Sequence, residues 1–415
     1  MSPASVPGTS GEIAPRPEPG KILLLALSFT AFLVGMEAIV TVPLIPGMSA
    51  STGMPLKSGG MLVAAYAISY ALFAPVAGMI SDRLGRKSVL AAGMGLFTVA
   101  TALVGFAGSF SELLVFRVLT GIGAGMVQPS VFAVAADAWP EQMRGRVMGI
   151  VTGSLVAASV LGIPLGGWLA ELGSWRWTFW LLAALIPVAA AGLLTRMPAA
   201  APGTAGRVPL SVMLRDAAAD KGVLASLGAS ALFFGGLQGM YSQSGAVYRL
   251  YFDLDVGAIS LVLMVAGIGS VLGSLVGGRL ADTRGKSRLL VLASLTVSVM
   301  ILLFALVVDL AVSIWLVLVI QFVWALMYGV GHASLNARIA ELRPEARGTV
   351  LSLNASAMYV GSASLSFLAT WAFESVDLWL AGLLCAVANW GVGWLAARYL
   401  RERNPEEQAS SESVH

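Results

Sequence analysis

The chain has 415 residues, of which 57% are hydrophobic and only 11% charged, with a mean hydropathy of +0.84. A soluble core cannot hide that much apolar surface, so lipid is the solvent for much of the protein. The net charge of +3 then belongs to basic loops at a membrane surface rather than to a nucleic-acid interface. One cysteine, Cys385, and two histidines, His332 and His415, leave neither an internal disulfide nor a zinc site of the usual kind.

Residues 1–20 are rich in Pro, Ser, Gly and Glu and read as a disordered cytoplasmic tail, with no short cleavable signal. Twelve apolar runs follow, at 22–46, 58–80, 88–108, 112–134, 146–169, 177–195, 223–246, 257–280, 288–308, 312–334, 348–372 and 378–399. Each is near the ~20 residues that cross ~30 Å of hydrocarbon. They are apolar all round, as bilayer spans are, with the small residues that close helix packing in lipid needs. The fold class expected is an all-α polytopic membrane protein, its twelve helices in two pseudo-symmetric six-helix bundles. Residues 21–195 form the first bundle, 196–222 a cytoplasmic linker, 223–400 the second bundle and 401–415 an acidic cytoplasmic tail.

Lysine and arginine set the orientation. With both termini inside, the inner loops hold Arg83, Arg86, Lys87, Arg144, Arg146, Arg284, Lys286, Arg288 and further bases, and the outer loops hold only Lys57, Arg176 and Arg249. The opposite assignment would invert the positive-inside asymmetry. The expected location is the cell inner (plasma) membrane.

Two basic loops are copies of each other. Gly78, Asp82, Arg83, Gly85, Arg86 and Lys87 recur as Gly278, Asp282, Arg284, Gly285 and Lys286, 200 positions later (278 − 78). A fixed-period duplication in a hydrophobic chain is the mark of a transporter built from two similar halves. Gly78 and Gly278 allow close helix approach, and Gly85 and Gly285 allow a sharp turn. Asp82 and Asp282 stand where a helix ends at the surface and can meet a helix N-terminus or an arginine. A loop that only fixed topology would not need acid and glycine in register twice.

By these spans Glu37 and Arg117 are the only charged side chains well inside the membrane. Burying a charge there costs at least ~2.5–3.5 kcal/mol, so pairing or function is the default explanation. Glu37 lies ~13 Å from the outer end of the first run and Arg117 ~8 Å below that of the fourth, at 1.5 Å per residue. Thr30, Glu37 and Thr41 share one face, as do Arg117, Gly121, Ala124 and Gln128. The pair either takes up and releases a proton during the cycle or is a static tie within the first bundle.

These residues carry a family resemblance over about 22–400. The Gly78–Lys87 loop resembles the loop signature of the major facilitator superfamily. The run from Leu113 through Arg117, Thr120, Gly121 and Gly123 to Ala124 resembles its fourth-helix motif. Gly162, Pro164, Gly166 and Gly167 resemble the fifth-helix motif of its twelve-helix drug–proton antiporters, with the proline one place late. Glu37 followed nine positions on by Pro46 is similar to the first helix of drug exporters.

The resemblance implies alternating access, duplicated loops that latch the halves in one state, an intramembrane arginine linked to proton coupling, and a central cavity lined by helices 1, 4, 7 and 10. Substrate contact is then sought at Gln128, at Gln238, Tyr241 and Ser242 of helix 7, and along a stripe of Gln321, Trp324 and Tyr328 on helix 10. Tyr66 and Tyr70 of helix 2 and Asn354 of helix 11 join them. His332 reads as a loop-edge residue. Arg144-Gly145 recurs as Arg347-Gly348, an offset of 203, which sets Ile320 opposite Arg117 and Gln321 beside it.

The expected function is proton-coupled antiport that exports a small amphipathic compound such as a drug or natural product. A sugar or amino-acid permease and a non-transporting sensor or scaffold are the alternatives. No enzyme activity and no cofactor are expected; the proton gradient is the energy source. The expected partners are the substrate, protons and lipid, and the chain is expected to act as a monomer.

Overall fold

The structure is a computed structural model that describes residues 20–197, 220–310, 312–342 and 347–400. The expected tails and most of the linker lie outside the described residues. The helices are α1 (Lys21–Thr52), α2 (Gly59–Leu84), α3 (Arg86–Phe106), α4 (Phe110–Ala138), α5 (Glu141–Ala157), α6 (Ile163–Leu172) and α7 (Trp175–Arg196). They continue with α8 (Lys221–Tyr241), α9 (Ser244–Phe252), α10 (Val256–Arg284), α11 (Lys286–Asp309), α12 (Ile314–Leu342), α13 (Arg347–Ser375) and α14 (Leu378–Tyr399).

A π-helical turn, Ala158–Gly162, joins α5 to α6. Pro164 follows it and has no N–H to continue the regular ladder, which accounts for the irregular turn at that place. A break at Ser242–Gln243 separates α8 from α9. Taking each joined pair as one, twelve long helices remain, and eleven are long and apolar enough to cross a membrane. The twelfth, α13, is interrupted by Asn354, Ser356, Ser362, Ser364, Ser366 and Thr370. Several helices outrun the expected spans. The first continues from 46 to Thr52 despite Pro43 and Pro46 within it, and the tenth from 334 to Leu342.

Helix starts follow local chemistry. Ser109 accepts the Glu112 N–H while the Glu112 carboxylate accepts the Gly108 N–H, close to a capping box. Asp255 and Asp377 cap α10 and α14 by accepting the N–H of Ala258 and Leu380, each at 2.8 Å. Gly85 and Gly285 divide α2 from α3 and α10 from α11 at φ of 84° and 87°, a conformation strained for any side chain with a Cβ.

α1–α7 pack into one bundle and α8–α14 into another, and the bundles meet where α2 packs on α13, α6 and the π-helical turn on α10, and α1 on α9 and α10. Leucine, valine and tryptophan crowd the outer surface. Trp168, Trp177, Trp315, Trp371 and Trp379 stand exposed near the helix ends opposite the duplicated loops, as aromatic anchors do at a membrane interface.

The halves are sealed at that opposite end. Lys57 Nζ donates to the Phe373 carbonyl at 3.0 Å and lies 4.6 Å from the Phe373 ring centre. Ser58 donates to the Glu374 carboxylate across the seam, while Gln243 donates to Thr370 at 2.8 Å within the second bundle. A Cβ on Gly60 would strike Thr370 and Gln243, and one on Gly245 the Val42 carbonyl. Toward the duplicated loops, Gly149 and Gly153 of α5 have nothing within 4 Å of a Cβ position.

Candidate functional site

Glu37 of α1 and Arg117 of α4 form an ion pair in which both side chains are 0% exposed. The guanidinium reaches from α4 to two other helices, α1 and α2. Nη1 donates to the Glu37 carboxylate and, at 3.4 Å, to the Glu37 carbonyl; Nε donates to the Leu62 carbonyl of α2 at 3.3 Å. Its carbon lies 4.5 Å from the ring centre of Tyr66, a cation–π distance. Arg117 Nη2, Glu37 Oε2, the Tyr66 hydroxyl and the Thr41 hydroxyl are buried with no hydrogen-bond partner in the protein, as are both amide atoms of Gln128 about three turns further along α4. The site therefore holds one satisfied contact between its charges and unused polar capacity around it. A buried polar atom left so is costly, and such costs persist where function needs them.

The glycines after Arg117 explain how α2 comes so close. A Cβ on Gly121 would overlap the Tyr66 carbonyl and the Ser69 hydroxyl, one on Gly125 would stand 3.0 Å from the Tyr70 carbonyl, and one on Gly123 would press on the Phe97 backbone of α3. α4 thus carries its arginine between two helices whose backbones touch it. The helix-five glycines divide their work. Gly162 and Gly166 face Met36 and Val40 of α1, whereas Gly167 faces Ser260 of α10 across the seam between the halves.

The expected cavity residues separate into three groups. Tyr66 and Tyr70 stand together at 6.3 Å between ring centres, and Tyr70 stacks on Tyr359 of the other half at 3.8 Å. Tyr359 meets Phe234 of α8 at 6.0 Å, Phe234 meets Tyr328 at 6.4 Å, and Tyr328 stacks on His332 at 5.6 Å. A second group lies inside the second bundle rather than on a cavity wall. Gln321 accepts a hydrogen bond from Tyr248 of α9, and Trp324 packs on Phe304 of α11 at 5.9 Å. The third is the sealed end, where Ser242 is fully buried beside Gln243. Gln238 and Tyr241 are partly buried.

His332 is not a loop-edge residue: α12 runs ten residues beyond it, and Asn336 lies within hydrogen-bond reach of its ring at 3.2 Å. Asn354 is buried and donates to Asn336 at 3.3 Å, which ties α13 to α12. Tyr359, Phe234, Tyr248 and Glu374 were not anticipated. Single aromatics in apolar runs carry no periodic signal, and Glu374 sits just past a span.

At the duplicated loops, Arg86 pairs with Asp137 at the end of α4, and Lys286 pairs with Glu341 at the end of α12 at 3.0 Å. Both pairs stay within their own bundle. The partners lie 204 positions apart (341 − 137), so this register sets Gln321, not Ile320, opposite Arg117. The side chains of Asp82, Arg83 and Asp282 lie outside the described residues. Gly78 and Gly278 have open space at a Cβ position.

Comparison with known proteins gives the same answer for the whole chain. The profile of the Major Facilitator Superfamily matches residues 27–255 and again 239–415. The uncharacterized MFS-type transporter YceJ of Bacillus subtilis is 32% identical over 352 residues, which cover 83% of this chain and 88% of that protein. The multidrug transporter protein MdtP of Bacillus subtilis is 31% identical over 160 residues, 37% of this chain and 30% of that one. The crystal structure of a D-xylose-proton symporter superposes with a TM-score of 0.76 over 92% of this chain and 98% of that one, at 13% identity. The chain belongs to the Major Facilitator Superfamily: it is a multi-pass membrane protein and a secondary transporter, not an enzyme.

Proposed function

We propose that this transporter exports a small amphipathic compound in exchange for protons by alternating access, acting as a monomer in the inner membrane with both termini and the duplicated loops on the cytoplasmic side. The observation that carries the reading is the fully buried Glu37–Arg117 pair, whose remaining oxygen and nitrogen have no protein partner. A carboxyl so placed can bind a proton from one side and release it to the other as the halves move. Arg117 compensates its charge meanwhile.

In this orientation the contacts at Lys57, Ser58, Phe373 and Glu374 close the path from outside. Aromatic side chains along the seam suit an amphipathic substrate better than a multiply charged metabolite. The partial likeness to MdtP favours export of drug-like compounds.

The test is uptake into inverted vesicles from a panel of drugs, sugars and amino acids, with and without an imposed pH gradient, acid inside. Uptake of an amphipathic compound that depends on the gradient and on Glu37 is expected. Gradient-dependent movement of sugars or amino acids alone would overturn the substrate reading. Transport indifferent to the pH gradient would overturn proton coupling.

A further inference from the structure

Leu62, Tyr66 and Tyr70 follow one another at intervals of four and so lie along one face of α2. Each makes a contact that matters. The Leu62 carbonyl and the Tyr66 ring hold the Arg117 guanidinium, and one turn further Tyr70 stacks on Tyr359 of the other half at 3.8 Å and 24°. The α4 glycines press α2 close along this stretch, at Tyr66 and Tyr70. An unbroken set of contacts therefore runs from the buried ion pair to the boundary between the halves.

Resting on the proton-coupling reading above, we propose that Tyr66 is a positioning residue for coupling: its ring holds the Arg117 guanidinium when Glu37 takes up a proton, and Tyr70 and Tyr359 pass that state to the seam. The proton adds to the Glu37 carboxylate from solvent on one side and returns to solvent on the other, while Arg117 stays charged throughout. With Glu37 neutral, the guanidinium keeps the Glu37 and Leu62 main-chain carbonyls and the Tyr66 face among its present partners but loses the carboxylate's charge, so the balance of the arginine's hold moves from α1 toward α2. A cation over an aromatic face is held most strongly where water is excluded, and Tyr66 is 2% exposed. Arg117 from α4 is the titratable group that acts on Glu37, with the Thr120 hydroxyl of the same helix beside it; Tyr66 from α2 and Tyr359 from α13 feel the Glu37 charge, and among the described residues no titratable group from the other helices packed on α1 does so.

The experiment needs no substrate. Thr370→Cys, in a Cys385→Ala background, reports opening of the sealed end through its rate of reaction with a maleimide in full-length protein, measured from pH 5 to pH 9 and divided at each pH by the rate for free N-acetylcysteine, which removes the thiol's own ionisation from every rate compared below. The labelling rate of the Tyr66-intact protein is expected to depend on pH, and Glu37→Gln is expected to abolish that dependence. Tyr66→Leu should move the midpoint toward acid by about one pH unit, a tenfold weaker hold on the proton, and Tyr66→Phe should restore it. Tyr359→Leu should leave the midpoint and reduce the amplitude at least about threefold, because it cuts the path beyond the ion pair; it also serves as the test if Tyr66→Leu does not fold. If Glu37→Gln stays pH-dependent, Glu37 is not the proton site and the proposed function fails with the inference. If Glu37→Gln loses the dependence while Tyr66→Leu keeps the original midpoint, or Tyr359→Leu the original amplitude, only the present inference is overturned.

Discussion

Tyr248 donates a hydrogen bond to Gln321 in the second bundle where Glu37 and Arg117 form their ion pair in the first. Each contact joins the first and fourth spans of its half. The separation from Arg117 to Gln321 is 204 positions (321 − 117), the same as from Asp137 to Glu341, which pair with equivalent loop bases. One half thus ties these helices with charge and the other with a neutral bond.

Glu37→Gln should therefore abolish transport driven by a pH gradient while the protein remains folded, because the amide keeps shape and hydrogen bonding but cannot titrate. Uptake into inverted vesicles, beside a thermal-unfolding measurement, checks it. Undiminished gradient-driven uptake would falsify the proton role.

Arg117→Lys should fold but transport poorly at every external pH. The guanidinium serves the Glu37 carboxylate and the Leu62 carbonyl at once through separate nitrogens, and a lysine ammonium cannot reproduce that planar fork. Arg117→Gln should destabilise by about 3–5 kcal/mol, since it leaves a buried carboxylate unpaired. Adding Glu37→Gln should recover much of that loss, which a double-mutant cycle in thermal unfolding would read.

Removing the sealed-end ties should favour the opposite conformation. Lys57→Met with Glu374→Gln deletes a charged donor to the Phe373 carbonyl and the carboxylate that accepts from Ser58. At about 1 kcal/mol for each of the two bonds, the equilibrium should move roughly thirtyfold. Faster maleimide labelling of Thr370→Cys is the expected result, and an unchanged rate would show that these contacts do not hold the end shut.

Two glycine substitutions should behave oppositely. Gly121→Ala drives a methyl into the Tyr66 carbonyl and Ser69 hydroxyl, and overpacking of this kind typically costs about 1–3 kcal/mol. Gly153→Ala meets nothing within 4 Å and gains up to about 1 kcal/mol in helix propensity. Melting temperatures that fall for the first and hold or rise for the second are expected.

Composition and periodicity reached the membrane, the helical class and a carrier of two similar halves, because each is a property of residues summed along the chain; the superfamily was reached through the resemblance of its motifs. Twelve apolar runs and a loop written twice need no tertiary contact to be read. Glu37 and Arg117 stood out for the same reason, as charges within otherwise apolar runs. Span ends were less legible: α1 and α12 continue as helix past their most apolar stretch, since backbone hydrogen bonding does not stop where hydropathy falls.

The amino-acid order thus suffices for the solvent, the number of helices, the twofold repeat and the identity of the buried charges. It does not say which of the polar residues on spans 7 and 10 face the seam. Gln321 and Trp324 turn into the second bundle, Ser242 into the sealed end, and Tyr328 toward α8. Nor does it reveal that Tyr359, 289 positions after Tyr70 (359 − 70), stacks on it. Spans that are apolar on every face carry almost no signal of rotation about their axes. Partner choice between helices is therefore left to close packing of glycines, rings and carbonyls, which exists only once the bundles have come together.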